Sequence, residues 1–334
     1  SGVVAEHNAV RNAVGLFDVS HLGKVMVCGE GAVQFLNACL SNNLRRITRG
    51  KAQYTLACDA ESGGIVDDLI AYYRDDQHIL LIPNAANAAE VVRRLKDSKP
   101  AGVTISDHHE TYAVLAVQGP QSDEVLKAAG FPFDHDYMSF VEMPFEGHNV
   151  VVCRTGYTGE RGYELIVHES VATGVWDALT VAGDEHGLVV CGLGARDTLR
   201  TEMGYPLHGQ DISLDVTPVE AGLGWAVGWS KAEFWGRVPL LAQKQSGPKV
   251  RLRGLVAAER AIPRPSMTVK VTGDMPIGFV TSGTFSPTLR KGVGLAIINA
   301  QIQEGTEVLV DVRGRPEIFV VTQPPFVDPD VRQT

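Results

Sequence analysis

Gln53-Tyr54-Thr55-Leu56-Ala57-Cys58-Asp59-Ala60-Glu61-Ser62-Gly63-Gly64-Ile65-Val66-Asp67-Asp68-Leu69-Ile70-Ala71-Tyr72-Tyr73 decides how the first half of the chain folds. Gln53 to Cys58 reads as a strand, Asp59 to Gly64 as a turn and Ile65 to Tyr73 as the returning strand, which is a hairpin signature. The surrounding sequence repeats the theme of short apolar runs punctuated by glycine, of which there are 35. Lys24 to Cys28, His78 to Pro83, Tyr112 to Gln118, Val150 to Arg154 and Tyr163 to Val167 read as further strands. Helical spacing appears at Ala32 to Leu40, at Asn84 to Asp97 (Ala89, Val92 and Leu95 inward), at Val171 to Ala182 and at Ala195 to Met203. A short helix is expected after Gly119-Pro120, with Ser122 as its N-cap.

Composition shifts at Gln243 to Pro248, which reads as a linker. Beyond it helical periodicity is lost. Leu252 to Val256, Thr268 to Val271, Ile277 to Thr281, Gly292 to Ile298, Glu307 to Val312 and Ile318 to Thr322 read as about six strands, a small barrel or sandwich. The expected class is therefore α+β, with a body over 1–242 and a C-terminal β domain over 243–334.

The chain has 334 residues, 44% hydrophobic and 21% charged, enough for about two domains and against wholesale disorder. Its net charge of -9 argues against nucleic acid or an anionic membrane as main partner, since both need a basic face. No apolar run reaches the roughly 20 residues of a bilayer span. A cytoplasmic location is expected, or an organelle matrix if a leader was removed. The five cysteines are scattered without a C-x-x-C pair, which fits reduced core thiols rather than a disulfide frame or zinc site. Asp107-His108-His109-Glu110 and Asp134-His135-Asp136 hold metal-type residues, but adjacent histidines in an extended segment face apart, so no metal is expected. Trp225, Trp229 and Trp235 read as packing at a domain junction rather than as a stacking platform.

Three segments carry chemistry. Alternation along a strand sends Asp67 and Asp68 to opposite faces, so at least one acid of a central strand faces the interior. A buried carboxylate needs partners, which makes the pair either a site or an edge-strand turn closure. In Arg154 to Leu165, three glycines let a backbone approach a ligand, and Glu164 opens an apolar strand. Its carboxylate suits the two parallel N–H groups of a 2-amino-pyrimidinone edge; a solvated hairpin is the alternative. In Gly192 to Arg200 a glycine-rich lead into a helix offers N–H groups to an anion. Arg196 lies in the first turn, where a cation is unfavourable, one turn from Arg200 on a shared face. It either meets a partner or joins a surface network around Asp197.

Taken in chain order, Gly15 to Gly23, Gly50 to Tyr54, Gly63 to Leu69, Pro83 to Asn87, Val117 to Pro120, Thr155 to Glu164, Gly192 to Arg200, Thr217 to Glu220, Thr281 to Pro287 and Pro325 to Val327 resemble the glycine cleavage T-protein (aminomethyltransferase) family. That resemblance implies a three-domain cloverleaf around a central tetrahydrofolate channel, with a ferredoxin-like first domain, a second subdomain interleaved at roughly 50–135, and a C-terminal β-barrel. It implies an enzyme that takes an aminomethyl group from the lipoyl arm of H-protein and passes the one-carbon unit to tetrahydrofolate, giving 5,10-methylenetetrahydrofolate and ammonia. By position, Asp68 matches the catalytic aspartate, Glu164 the pterin-binding glutamate and Arg196 the arginine at the folate site. Asn84, Tyr54 and Tyr157 match channel residues. Two departures are noted: the family's Gly-Trp and Met-Pro-Val segment before Glu6-His7-Asn8 is absent, and Asp328 to Thr334 holds no aromatic residue. The alternatives are the folate-binding region of a dimethylglycine or sarcosine oxidase, for which no dinucleotide fingerprint is present, and a folate-binding iron-sulfur assembly or tRNA-modification factor.

Overall fold

The computed structural model describes residues 2–271 and 275–328. The last residues of the aromatic-free tail, 329–334, lie outside the described part. Two sheets pack face to face with helices outside them. The first has the order Leu188–Val190, Val14–Asp18, Tyr112–Gln118, Gly162–His168, His148–Cys153, Phe140–Phe145. Its pairings are antiparallel except that of Val14–Asp18 with Leu188–Val190. The second is an antiparallel sheet ordered Lys51–Cys58, Ile65–Asp75, His78–Ile82, Val25–Cys28, Thr104–Asp107. Without its edge strand Lys51–Cys58, this sheet and helices Ala32–Cys39 and Ala88–Ser98 form a ferredoxin-like split β-α-β arrangement.

Side-chain alternation explains the layering. Leu16, Leu115, Val117, Leu165 and Val167 point to one core with helices Ser122–Ala128 and Glu169–Gly183. Their neighbours Phe17, Val114, Ala116 and Ile166 point the other way, onto Tyr72, Leu80 and Ile82 of the second sheet. Leu69, Ala71 and Tyr73 cover that sheet's far face against Phe35, Leu36, Val91, Val92 and Leu95. Strands clothed on both faces read as continuous apolar runs, which is why they are visible in the sequence.

The C-terminal unit is a closed barrel: Val250–Ala257, Lys291–Asn299, Met275–Ser286, Thr268–Val271, Glu307–Val312, Arg315–Thr322. This resolves the choice between barrel and sandwich. The expected linker starts inside a helix, Arg237–Ser246, which Gly247 ends at φ 79, a left-handed conformation that costs glycine little. Polar, linker-like composition there marks the exposed last turn. Two other boundaries move. Ser122 begins its helix rather than capping it; the cap is Gln121, and the Ser122 hydroxyl donates to the Arg161 carbonyl. The helix expected from Asn84 begins at Ala88, because Asn84 and Asn87 are engaged elsewhere, and Ala88 and Val91 face the core while Ala89 is exposed.

Buried polar side chains join barrel to body. Arg200 donates to Asp211 Oδ2 (2.7 Å) and to Ser282 Oγ (2.8 Å), while Thr281 donates to Asp211 Oδ1 at 2.5 Å. Nearby, Glu202 is fully buried and accepts from Arg11, Ser286 and Thr288, with His7 3.3 Å away. Burial alone raises the Glu202 pKa, but His7, Ser286 and the Arg11 charge overcome it and bring it to about 2. A depressed carboxyl stabilises the fold above its unfolded value, and this is lost as pH falls through the folded value, here from about 4.5 to about 2. The contribution is about 3 kcal/mol. Melting temperature should therefore fall more steeply across that window in the wild type than in Glu202→Gln; parallel profiles would show that Glu202 does not drive the loss.

Candidate functional site

The strand Ile65–Asp75 outruns its neighbour. Pairing with His78–Ile82 begins at Ile70, so the stretch before it has no strand on that side. The chain beyond Ile82 folds across this gap, and Asn84 supplies the missing donors. Its backbone N–H meets Asp67 Oδ2 (3.0 Å), and its side-chain amide reaches Asp67 Oδ1 (2.9 Å), Asp68 Oδ1 (2.8 Å) and the Asp68 carbonyl (2.9 Å). Asn87 adds a contact of 2.7 Å to Asp67 Oδ1. The two acids leave the backbone on opposite sides, as alternation requires, yet one asparagine at the strand edge holds both. Asp67 is fully buried and closes the turn that follows Ile82, whereas Asp68 is half-buried and has Tyr54 as a further partner.

Asp68 shares its parity with Ile70 and Tyr72 and so projects between the sheets. Tyr54, from the adjoining strand and directly opposite Ile70, donates to Asp68 Oδ2 at 3.0 Å. Burial raises the pKa of Asp68, opposed by the Tyr54 bond, the charge of His208 and the Asn84 bond. Burial and then the adjacent Asp68 charge push Asp67 up to about 7, against its asparagine donors.

Glu164 has the parity of Ile166, so it enters the same layer from the other sheet. Thr155 donates to Glu164 Oε2 at 2.6 Å, and Tyr72 holds Thr155 at 2.9 Å. Arg196 approaches from helix Leu193–Glu202, whose Ala195 and Leu199 sit in that layer. Its guanidinium carbon lies 4.7 Å from the Tyr157 ring centroid. Burial lowers the Arg196 pKa, with Glu164 pulling it back. Among the described residues its guanidinium makes no hydrogen bond or ion pair. Tyr157 stands between the halves. Its hydroxyl donates to Pro206 O at 2.6 Å, and burial raises its pKa, with Arg200, Asp68 and Arg196 as neighbouring charges. Thus Asp68, Asn84 and Tyr54 form one group and Glu164, Arg196 and Tyr157 another, and Tyr157 feels the charges of both Asp68 and Arg196.

Arg196 and Arg200 do not act together, although they lie on one helix face. Arg200 takes the Asp197 pairing as well as Asp211, and Arg196 takes neither. Trp225 was not legible. Rather than packing at a junction, it is 63% exposed and stacks on Tyr54 with centroids 5.2 Å apart. The neighbouring tryptophans do pack: Trp229 donates to Gly224 O and lies under Lys244, and Trp235 lies against a core. His208 and Asp211 also escaped notice, since a histidine or aspartate in a loop carries no periodic signal. Among the described residues no three His, Cys, Asp or Glu groups are placed to hold a metal. No helix among them is long and apolar enough to cross a membrane.

The fold and these groups define a two-sheet body capped by a barrel, with an acid-and-arginine site lined by aromatic rings. Residues 1–231 match the GCVT N-terminal domain and residues 251–328 the glycine cleavage T-protein C-terminal barrel domain. The chain belongs to the glycine cleavage T-protein family. An aminomethyltransferase of Frankia alni is 59% identical over 326 residues, covering 98% of this chain and 89% of that protein. One of Mycobacterium tuberculosis is 56% identical over 329 residues, covering 98% and 89%. The crystal structure of the glycine cleavage system aminomethyltransferase T from Bartonella henselae matches with a TM-score of 0.93 at 33% identity, over 99% of this chain and 91% of that one.

An acid whose pKa is raised on folding takes up a proton, so stability falls as pH rises from the unfolded value, about 3.9, to the folded one. For Asp67 the upper end is about 7. Infrared spectra should show a protonated carboxyl band at pH 5.5 that disappears through neutrality and is missing in Asp67→Asn. A band that persists in that variant would place the proton on another group.

Proposed function

We propose that the protein is an aminomethyltransferase that moves a one-carbon unit from the aminomethyl group on the lipoyl arm of H-protein to tetrahydrofolate, releasing ammonia. The observation that supports this reading is Tyr157, whose ring carries the Arg196 guanidinium and whose hydroxyl feels the charges of both Asp68 and Arg196, with Glu164 acting on Arg196 from the other sheet. The relatives named above are aminomethyltransferases, which favours transfer over a folate-binding protein without it.

The residues fit a reduced pteridine. One oxygen of Glu164 is fixed by Thr155, which orients the carboxylate to accept the paired N–H groups of the 2-amino-pyrimidinone edge. Arg196 and Tyr157 supply a cation and a flat face beside it. Asp68 then lies at the reacting nitrogens. Tetrahydrofolate supplies the nitrogens that receive the carbon. Asp68 supplies a fixed negative charge: as the carbon–sulfur bond breaks and the lipoyl thiolate leaves, the aminomethyl carbon bears iminium-like positive charge, which an anion beside it stabilises; one folate nitrogen then bonds to that carbon and the second displaces ammonia from it. Tyr54 and Asn84 hold the carboxylate in place, so little reorganisation is needed during the reaction.

The test is ammonia release from aminomethyl-loaded H-protein with and without tetrahydrofolate; no folate-dependent rise rejects the assignment. Asp68→Asn should lower kcat at least about tenfold with folate affinity largely retained, since the lost interaction belongs to the transition state. Equal losses of both would reject that role. Glu164→Ala should instead weaken tetrahydrofolate binding by about tenfold or more, read by calorimetry, through loss of a charge-assisted contact.

A further inference from the structure

Gln118 ends the strand Tyr112–Gln118, pairs with Gly15 on one side and Gly162 on the other, and is 1% exposed. It shares the parity of Ala116, so its side chain enters the layer between the sheets, where it meets the glycine-rich turn before Gly162–His168. Nε2 donates to Thr155 O (3.1 Å) and to Tyr163 O (3.2 Å), and Oε1 accepts from the Thr158 hydroxyl at 2.8 Å. A reversed amide would set its oxygen against two carbonyl oxygens, so this orientation is the one the partners allow. The glycines of the turn are spaced around it. A Cβ on Gly156 would fall 2.7 Å from Gln118 Cδ, and one on Gly162 would fall 2.5 Å from Nε2. Neither glycine has a positive φ, so each supplies space rather than backbone freedom. Gly159, at φ 84, leaves room in the same way for the Met203 side chain. The room beside all three glycines is thus taken by the protein's own side chains, and not by a ligand as their spacing suggested.

Thr155 opens the turn and Tyr163 directly precedes Glu164, so one amide ties the two chains at the neck of the turn. Thr155 in turn donates to Glu164 Oε2 at 2.6 Å and lies 2.9 Å from the Tyr72 hydroxyl. Tyr157, further along the turn, is anchored separately through Pro206 O. A carboxylate held by a hydroxyl is only as well placed as the backbone that bears the hydroxyl, and Gln118 holds that backbone at Thr155. We propose that Gln118 is a positioning residue for ligand binding: its buried amide fixes the neck of the turn and, through Thr155, sets the Glu164 carboxylate to receive the paired N–H edge of a 2-amino-pyrimidinone. The ligand class rests on the reading of Glu164 given above; the bracing of Glu164 does not.

Gln118→Met keeps the length of the side chain, so both glycines stay packed, and removes all three bonds. Its KM and calorimetric Kd for tetrahydrofolate should rise at least about fivefold, with kcat within about twofold. Added to Glu164→Ala, the same substitution should change Kd by less than about twofold, because the group it orients is already gone. Fully additive losses, or a lower kcat with unchanged Kd, are what a merely structural role would give, and either overturns the proposal. Should Gln118→Met fail to fold, Thr158→Val removes the Oε1 partner alone and should raise Kd about two- to threefold, again only while Glu164 is present. A crystal structure of whichever variant folds reads the geometry with no ligand bound: the Thr155 hydroxyl should have left Glu164. Thr155 and Glu164 found in their original places overturn the proposal. A displaced pair in a protein whose wild type binds no tetrahydrofolate upholds the bracing and rejects the folate reading instead.

Discussion

Two neighbouring carboxylates in one buried strand set the terms for the rest of this structure. Each must find donors inside the protein, because burial without them costs several kcal/mol. The solution is local and asymmetric. The neighbouring strand stops short, and the chain beyond it turns so that one asparagine, through backbone and side chain, contacts both acids. A second asparagine completes Asp67, and Tyr54 completes Asp68. Asp67 has donors and no route to the inter-sheet layer, so it secures the turn. Asp68 keeps its place on the inner face. Structural and chemical duties are thus divided between adjacent residues by strand parity alone.

The same parity made much of the architecture readable. Hydrophobic runs at Tyr112 to Gln118 and Tyr163 to Val167 are apolar on both faces, and such strands are conspicuous. The barrel was visible because turn residues separate its strands evenly. What stayed hidden depended on tertiary partners. Asn84 has no helical role once Asp67 and Asp68 claim it, so the helix starts at Ala88, four residues later than periodicity suggests. Trp225 sits in a short 3-10 turn, Gly224–Ala226, and no pattern in one sequence tells an exposed indole from a packed one. The Asp67–Asp68 pair, Glu164 and Arg196 stood out in the sequence for the opposite reason: each is a charge placed where local rules disfavour it. The choice of Asp68 within the pair, like Tyr54, Asn84 and Tyr157, came only through the family resemblance.

The barrel meets the body through an apolar cluster that includes Ile297 and through a set of buried polar side chains. Thr281, Ser282 and Ser286 lie on one long strand, Met275–Ser286, and all are buried. They meet Asp211, Arg200 and Glu202, which come from the arginine helix and the loop after it. A hydrophobic seam tolerates sliding, whereas hydrogen bonds to buried charges fix distance and direction. The barrel therefore acts on the site indirectly, by holding the helix that carries Arg196 and the loop that anchors Tyr157.

Arg196 and Arg200 show how pairing separates a structural charge from a functional one. They share a helix, a face and a residue type. Arg200 is satisfied by Asp197, Asp211, Ser282 and Tyr205 and is 1% exposed. A buried cation so fully bonded has no capacity left for a ligand, and removing one partner strands the other. Arg196 is half-buried, packed on the Tyr157 ring, with Glu164 near enough to influence it but outside hydrogen-bond reach. Among the described residues, desolvation there is opposed by the Glu164 charge and the Tyr157 ring. An anionic or carbonyl group reaching Arg196 would relieve that imbalance, which is the physical ground for the ligand role proposed for it.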